Sequence, residues 1–137
     1  MQHHRTRQCR SARVTLAAAL LLIAAAAPAR GGTNDWNVVS GSWTNAASWT
    51  PAAVPGAADW ARINNGGSAQ VDASASAGKL TVAHGGDGAV TVLASGSLTA
   101  ADWDFLARFN GDAGRLMVDG GEFRALGGGN TWVGNFA

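Results

Sequence analysis

Two aspartates and an arginine lie close together in the second half of the chain, at Asp102, Asp104 and Arg108. Alternate residues of a strand point to the same side, so both carboxylates would share one face with the arginine. Carboxyl pairs with a basic partner perform acid and base catalysis on polysaccharides. Outward polar residues are equally typical of any solvent-facing strand. We therefore predict no catalytic residue.

Aspartates also occur in glycine-rich turns, which are candidate calcium-binding sites. The calcium-binding β-roll repeat requires the pattern G-G-x-G-x-D-x-U-x. Residues 85–89 begin this pattern, but Val90 stands where the aspartate is required. Asp87 and Asp112 lie 25 residues apart in similar turns and are weak candidates for sharing a cation. Because Ca²⁺ takes six to eight oxygen ligands, we favour hydrated turn residues and predict no metal or other cofactor.

Tryptophan is the next candidate for function. Four of the six tryptophans fall between residues 36 and 60. Flat aromatic faces bind sugar rings by apolar contact, and exposed aromatic residues are typical of binding surfaces. Trp43 and Trp49, which have serine and asparagine neighbours, are the candidate carbohydrate-binding residues. Burial of both inside a cap is the alternative that we favour.

Other chemistries lack the residues they need. After residue 29 the chain has no cysteine, the single histidine His84 and no G-x-S-x-G motif, which argues against zinc and nucleophilic catalysis. From Arg30 onward, six basic and nine acidic residues give a net charge of −3. This charge, without a basic stripe, argues against a nucleic-acid partner.

The first 29 residues have the three parts of an export signal. Arginines between Arg5 and Arg13 precede an apolar run at 14–27, and Ala27-Pro28-Ala29 provides small residues for cleavage. The run is shorter than the roughly 20 residues that cross a bilayer. An N-terminal anchor or a buried helix is the alternative. We expect cleavage after Ala29, a secreted or cell-surface location and no transmembrane segment in the mature chain.

The elements that position these residues are short strands. Apolar residues alternate at 79–83, 89–93 and 115–118, with glycine-rich turns between them, which predicts half-buried strands. A helix over 99–109 is the weaker alternative. Three sets of apolar residues recur at intervals of 25 to 27: Ile63, Val90 and Leu116; Val71, Leu98 and Phe123; Leu80, Leu106 and Val133.

A period near 26 with three strands predicts stacked coils. We expect an all-β fold, a right-handed parallel β-helix (β-solenoid) of about three coils at 63–137. The Trp-rich segment 30–62 would cap the open first coil. An antiparallel sandwich or roll is the alternative. Because the last residues fall inside a repeat, we expect a chain truncated at its C-terminus.

The tryptophan and glycine pattern from Trp36 to Gly67 resembles the opening of large exported bacterial β-helix proteins. These include autotransporter-like passengers and PEP-CTERM-type surface proteins of Gram-negative bacteria. The repeat at 114–125 and the Val-Gly-Asn at 133–135 also look like the repeats of these proteins. The resemblance implies a scaffold at the outer membrane or outside the cell.

We therefore expect an exported, non-enzymatic structural module for display, adhesion or spacing. Two alternatives remain open. The chain could begin a carbohydrate-active β-helix enzyme, or it could be a carbohydrate-binding module that uses exposed tryptophans. The expected partners are extracellular polysaccharides or other surface proteins.

Overall fold

A computed structural model describes residues 31–102, 104–127 and 131–134. The expected export signal at 1–29 and Trp103 lie outside the described residues. One short 3-10 helix, Ala46–Ser48, accompanies thirteen strands in the described parts. In chain order the strands are β1 Thr33–Trp36, β2 Ser40–Ser42, β3 Trp49–Thr50, β4 Trp60–Ile63, β5 Ser68–Val71, β6 Ser74–Ala77, β7 Lys79–Val82, β8 Gly88–Leu93, β9 Ser97–Ala100, β10 Asp104–Leu106, β11 Gly114–Asp119, β12 Glu122–Ala125 and β13 Thr131–Val133.

The strands form three sheets that run along a β-solenoid of about four turns. The first sheet has the order β13-β10-β7-β4-β1-β3, the second β11-β8-β5-β2, and the third β12-β9-β6. Strands of successive coils pair in parallel, and among the described strands only β1 and β3 pair antiparallel. The predicted solenoid is confirmed, whereas the sandwich and the helix over 99–109 are wrong.

Alternation places every second residue inside the solenoid, where it stacks on the equivalent residue of the next coil. In the second sheet Ala69, Val90 and Leu116 form one such ladder. In the third sheet Leu98 stacks on Phe123. The apolar residues of the middle coils are almost fully buried. Burial of these ladders supplies the main favourable free energy of a fold that has no cross-link among its described residues.

The structure corrects the first member of each predicted column. Ile63 belongs to the first sheet and pairs with Val82, 19 residues on. Val71 pairs with Val92, not with Leu98. Leu80 pairs with Asp104, while Leu106 pairs with Val133 as expected. A constant period near 26 is wrong for the coil that begins at β4. Parallel pairing aligns the strands but does not fix the length of the turns between them.

The Trp-rich segment is itself the first coil. Strand β1 pairs with β4 and β2 pairs with β5, so the parallel ladder already begins at Thr33. Trp36, Trp43 and Trp49 fill the interior at this end, each at most 2% exposed. Trp49 meets both other indoles edge-to-face, with ring centroids 5.0 and 4.8 Å apart. The outer edge of the first sheet is covered by the two-residue strand β3 and then Pro51, which limits further strand pairing there.

Glycine permits the tight corner between β8 and β9. A side chain on Gly96 would overlap the carbonyl oxygen of Val71 in the preceding coil. The backbones of neighbouring coils can therefore approach closely here only without a Cβ. No helix in the described parts of the chain is both long and apolar enough to cross a membrane.

Candidate functional site

The two predicted sugar-binding tryptophans lie in the core. Trp43 is 0% exposed and Trp49 is 1% exposed, so no sugar ring can stack on either indole. Trp49 Nε1 donates a hydrogen bond of 2.8 Å to the carbonyl oxygen of Trp43. The exposed platform is wrong and the favoured burial is correct, because a first coil with small strand residues needs large rings to fill its interior.

The two turn aspartates bind backbone instead of meeting around a cation. Asp112 Oδ2 accepts hydrogen bonds from the amides of Gly85, at 2.8 Å, and Phe109, at 3.1 Å. Asp87 Oδ1 accepts one from the amide of Ala113, at 2.8 Å. Each carboxylate thus connects the turns of two successive coils. Within the described ranges, no three acid, histidine or cysteine side chains gather in a group that could hold a metal ion.

The wall of the solenoid separates Asp104, one acid of the predicted pair, from Arg108. Asp104 points inward between Leu80 and Thr131 in the ladder and is 4% exposed. Burial raises the pKa of its carboxyl to about 6, and the nearby Leu80 backbone and Thr131 side chain only partly oppose this rise. Arg108 lies outside, against aromatic rings. The shared face expected for Asp104 and Arg108 is therefore wrong.

Functional side chains collect instead on the outer side of the first sheet. We call this region the cationic-aromatic face; it comprises Trp60, Arg62, Lys79, Phe105 and Arg108. The outer positions of the third sheet are serine and threonine apart from Glu122 and Arg124. Those of the second sheet are mixed and include Ser68, Gln70, Thr91, Leu93, Arg115, Met117 and Asp119. The three outer surfaces therefore differ in chemistry although their backbones are alike.

A cleft of about 240 Å³ opens on this face and is lined by Trp60, Lys79, Phe105 and Arg108. Trp60 lines the cleft beside two cations. The Arg62 guanidinium carbon lies 5.2 Å and the Lys79 Nζ lies 6.0 Å from the centroid of its ring. The indole Nε1 donates a hydrogen bond of 2.8 Å to Thr81 Oγ1. Thr81 is fully buried beneath the ring although its position faces outward. This bond fixes the edge of the indole that carries Nε1.

Arg108 is held on the other side of the cleft by three rings. Its guanidinium carbon lies 4.9 Å from the centroid of Phe105 and 5.5 Å from that of Phe109. Its Nη1 donates a hydrogen bond of 3.0 Å to His84 Nε2. Since a guanidinium has only donors, His84 accepts here with its Nε2 unprotonated. The aromatic contacts fix the direction of a charge that would otherwise move freely.

Among the described residues, an acid balances only one of the three positive charges on this face. Arg62 is neutralised by Asp35, with bonds of 2.6 and 2.7 Å, and this contact raises the pKa of Arg62. Among the described residues, the only other ion pair joins Arg124 to Glu122. Lys79 and Arg108 therefore each present a positive charge with no carboxylate within 4 Å in the described parts of the chain.

Sequence reasoning missed this face because its members come from three coils. Trp60 and Arg62 alternate on one strand, which is a readable signal for a shared side. Their proximity to Lys79 and Arg108 follows from the pairing of β4 with β7 and of β7 with β10. Only a correct register could have revealed it, and the assumed constant period gave a wrong register for this coil.

Comparison of the chain with protein-family models, with curated proteins and with solved structures found no match.

Proposed function

We propose that the protein is an exported, non-enzymatic β-solenoid that serves as a structural module outside the cell or at its surface, for display, adhesion or spacing. The observation that carries the proposal is the use of its carboxylates. Asp87 and Asp112 connect turns of successive coils, and Asp59 accepts from the amides of Gly32 and Gly56. These three carboxylates are engaged in holding the turns and coils together.

A stacked architecture supports this role. Each coil contacts mainly its neighbours, so the fold extends in one direction and holds its ends at a defined separation. The basic, apolar and small-residue segments of positions 1–29 support export. The resemblance of the Trp-rich segment to exported bacterial β-helix proteins supports an extracellular location.

Expression of the full chain in a Gram-negative bacterium tests export. We expect the protein in the periplasm or beyond, with a mass that corresponds to cleavage after Ala29. A matched variant, Leu21→Arg with Leu22→Arg, interrupts the apolar run and is expected to stay uncleaved in the cytoplasm. Recovery of soluble, uncleaved wild-type protein from the cytoplasm would contradict the proposal.

A second measurement tests the non-enzymatic role. The purified protein is incubated with pectin, alginate, xylan and chitin, and new reducing ends and unsaturated sugars are measured over a day. We expect no product above a heat-denatured control. Product formation that Asp102→Asn abolishes would favour the alternative of a carbohydrate-active enzyme, since Asp102 is the half-buried acid beside the cleft strands.

A further inference from the structure

We propose that the cleft on the cationic-aromatic face binds an acidic glycan, with a sugar ring against Trp60 and sugar carboxylates against Lys79 and Arg108. This binding function goes beyond the structural role. It depends on the fold and on the cleft, and it would hold whether or not the chain is exported.

The indole of Trp60 offers a suitable surface for a sugar ring. The single polar atom of the Trp60 indole is turned toward Thr81 and already hydrogen-bonded, so the part of the ring that faces the cleft is carbon. A pyranose presents C–H groups on one side, and these pack on such a surface by apolar contact. Because the ring is held by Thr81, little side-chain freedom is lost on binding.

The two unpaired cations require a ligand that carries negative charge. Lys79 and Arg108 line the same cleft and have no acid partner among the described residues. Arg108 is already oriented by Phe105, Phe109 and His84. A planar guanidinium in a fixed position pairs with a carboxylate through two parallel hydrogen bonds. A neutral sugar would leave both cations without an ionic partner.

The placement of the cations favours a polymer of modest charge density. Lys79 lies on β7, and Arg108 follows β10 in the next coil, about 4.8 Å farther along the axis. A chain of uronic acids that runs along the solenoid carries one carboxylate per sugar and can reach both. Duplex DNA carries a charge about every 1.7 Å. Repulsion by a chain with a net charge of −3 from Arg30 onward is therefore stronger for DNA than for a uronic-acid polymer.

Calorimetric titration of the purified protein, expressed from the full 137-residue sequence, with oligogalacturonate tests the proposal. The matched neutral ligand is the same oligomer with its carboxylates methyl-esterified. We expect binding of the acidic form and at least about tenfold weaker binding of the ester, because a lost charge-assisted hydrogen bond costs at least this much. Equal binding of both forms, or binding of neither, would overturn the proposal.

Two double variants locate the site. Lys79→Gln with Arg108→Gln removes both cleft cations, and Arg115→Gln with Arg124→Gln removes two exposed cations from the other sheets. Both doubles change the net charge equally. We expect the first to weaken oligogalacturonate binding by at least about tenfold and the second by less than about twofold. Equal losses would show unspecific attraction and overturn the assignment.

Two further ligands separate the acidic glycan from other anions. Dextran sulfate has sugar rings with sulfate groups, and single-stranded oligothymidylate has phosphates with stacking bases. We expect both to bind more weakly than oligogalacturonate at matched salt. Tighter binding of either would overturn the carboxylate assignment and identify a sulfate site or a nucleic-acid site. Circular dichroism of each variant confirms that the fold is kept, so that lost binding and lost folding are distinguished.

Discussion

Asp104 is an ionisable residue whose side chain points into the solenoid. Among the described residues, neither carboxyl oxygen has a partner that meets the distance and angle limits of a hydrogen bond. Burial raises the carboxyl pKa from 3.8 to about 6, so the folded state holds this proton more tightly than the unfolded chain. The contribution of Asp104 to stability is therefore complete below pH 4 and is lost as the pH rises through 6.

Asp104→Asn removes this dependence on pH. At pH 8 we expect the variant to be about 1–3 kcal/mol more stable than the wild type, because it carries no buried charge. At pH 4 the two proteins should agree to within about 1 kcal/mol. Urea unfolding at both pH values measures the difference. A stability gain of equal size at pH 4 would contradict the assignment of the effect to ionisation.

Trp43 is the most enclosed of the three indoles in the first coil, at 0% exposure. Trp43→Ala leaves a large cavity, and we expect a loss of about 3–5 kcal/mol in the free energy of unfolding. Val39 is 85% exposed in the same coil, so Val39→Ala should change stability by less than about 0.5 kcal/mol. Denaturant unfolding compares the two variants. Similar midpoints for both would contradict the burial of Trp43.

The turns between strands carry the contacts that join one coil to the next. Asp112 accepts two backbone amides from two turns, Gly85 in one coil and Phe109 in the next. Such a contact acts only in the folded state, so it contributes to stability even though the carboxylate is near solvent. From the sequence alone, Asp87 and Asp112 are candidate metal ligands, because aspartate is favoured both in turns that bind backbone amides and in turns that bind calcium.

Asp112→Ala should cost about 1–2 kcal/mol, because two amides lose a charged acceptor. Asp119→Ala is the matched control, since Asp119 is an exposed aspartate at the end of β11. We expect the control to change stability by less than about 0.5 kcal/mol. Thermal unfolding in the presence of a chelator measures both. If added Ca²⁺ stabilised the wild type but not Asp112→Ala, a cation role would replace the structural one.

At the scale of the strands, the sequence predicts where the strands lie better than it predicts the register between them. Alternation predicts strands at 79–83, 89–93 and 115–118, and β7, β8 and β11 confirm them. The partners Val90 with Leu116 and Leu98 with Phe123 were also predicted correctly. The coil that begins at β4 was misread because its turns are shorter than those of later coils. Alternation reports on a strand's own faces and says nothing about the loops that set its neighbour.

The whole molecule has an uneven core along its axis. The inward valines of the middle coils, Val71 and Val92, are fully buried, whereas Val118 is 48% exposed and Val133 is 75% exposed. In a fold where each coil is stabilised by its neighbours, local stability follows this burial. Coils with a covered interior should open rarely and coils with an uncovered one should open often.

Amide hydrogen exchange tests this gradient. We expect the amides of β5 and β8 to exchange at least about a hundredfold more slowly than those of β12 and β13. Local opening of β12 and β13 costs less free energy because it exposes little additional apolar surface. Exchange of the full protein followed by mass spectrometry or NMR measures the rates by segment. Equal protection of all four strands would contradict the one-dimensional model and indicate a single cooperative unit.

The amino-acid sequence by itself determined the fold class, because alternation and glycine turns are local and leave few ways to bury short strands. Tertiary structure alone decided the rest. It placed Trp43 and Trp49 in the core and Asp104 inside the wall, and it brought Trp60 beside Lys79 and Arg108. The physical reason is that burial and proximity between coils depend on register, and register depends on turn lengths that the period of a repeat does not reveal.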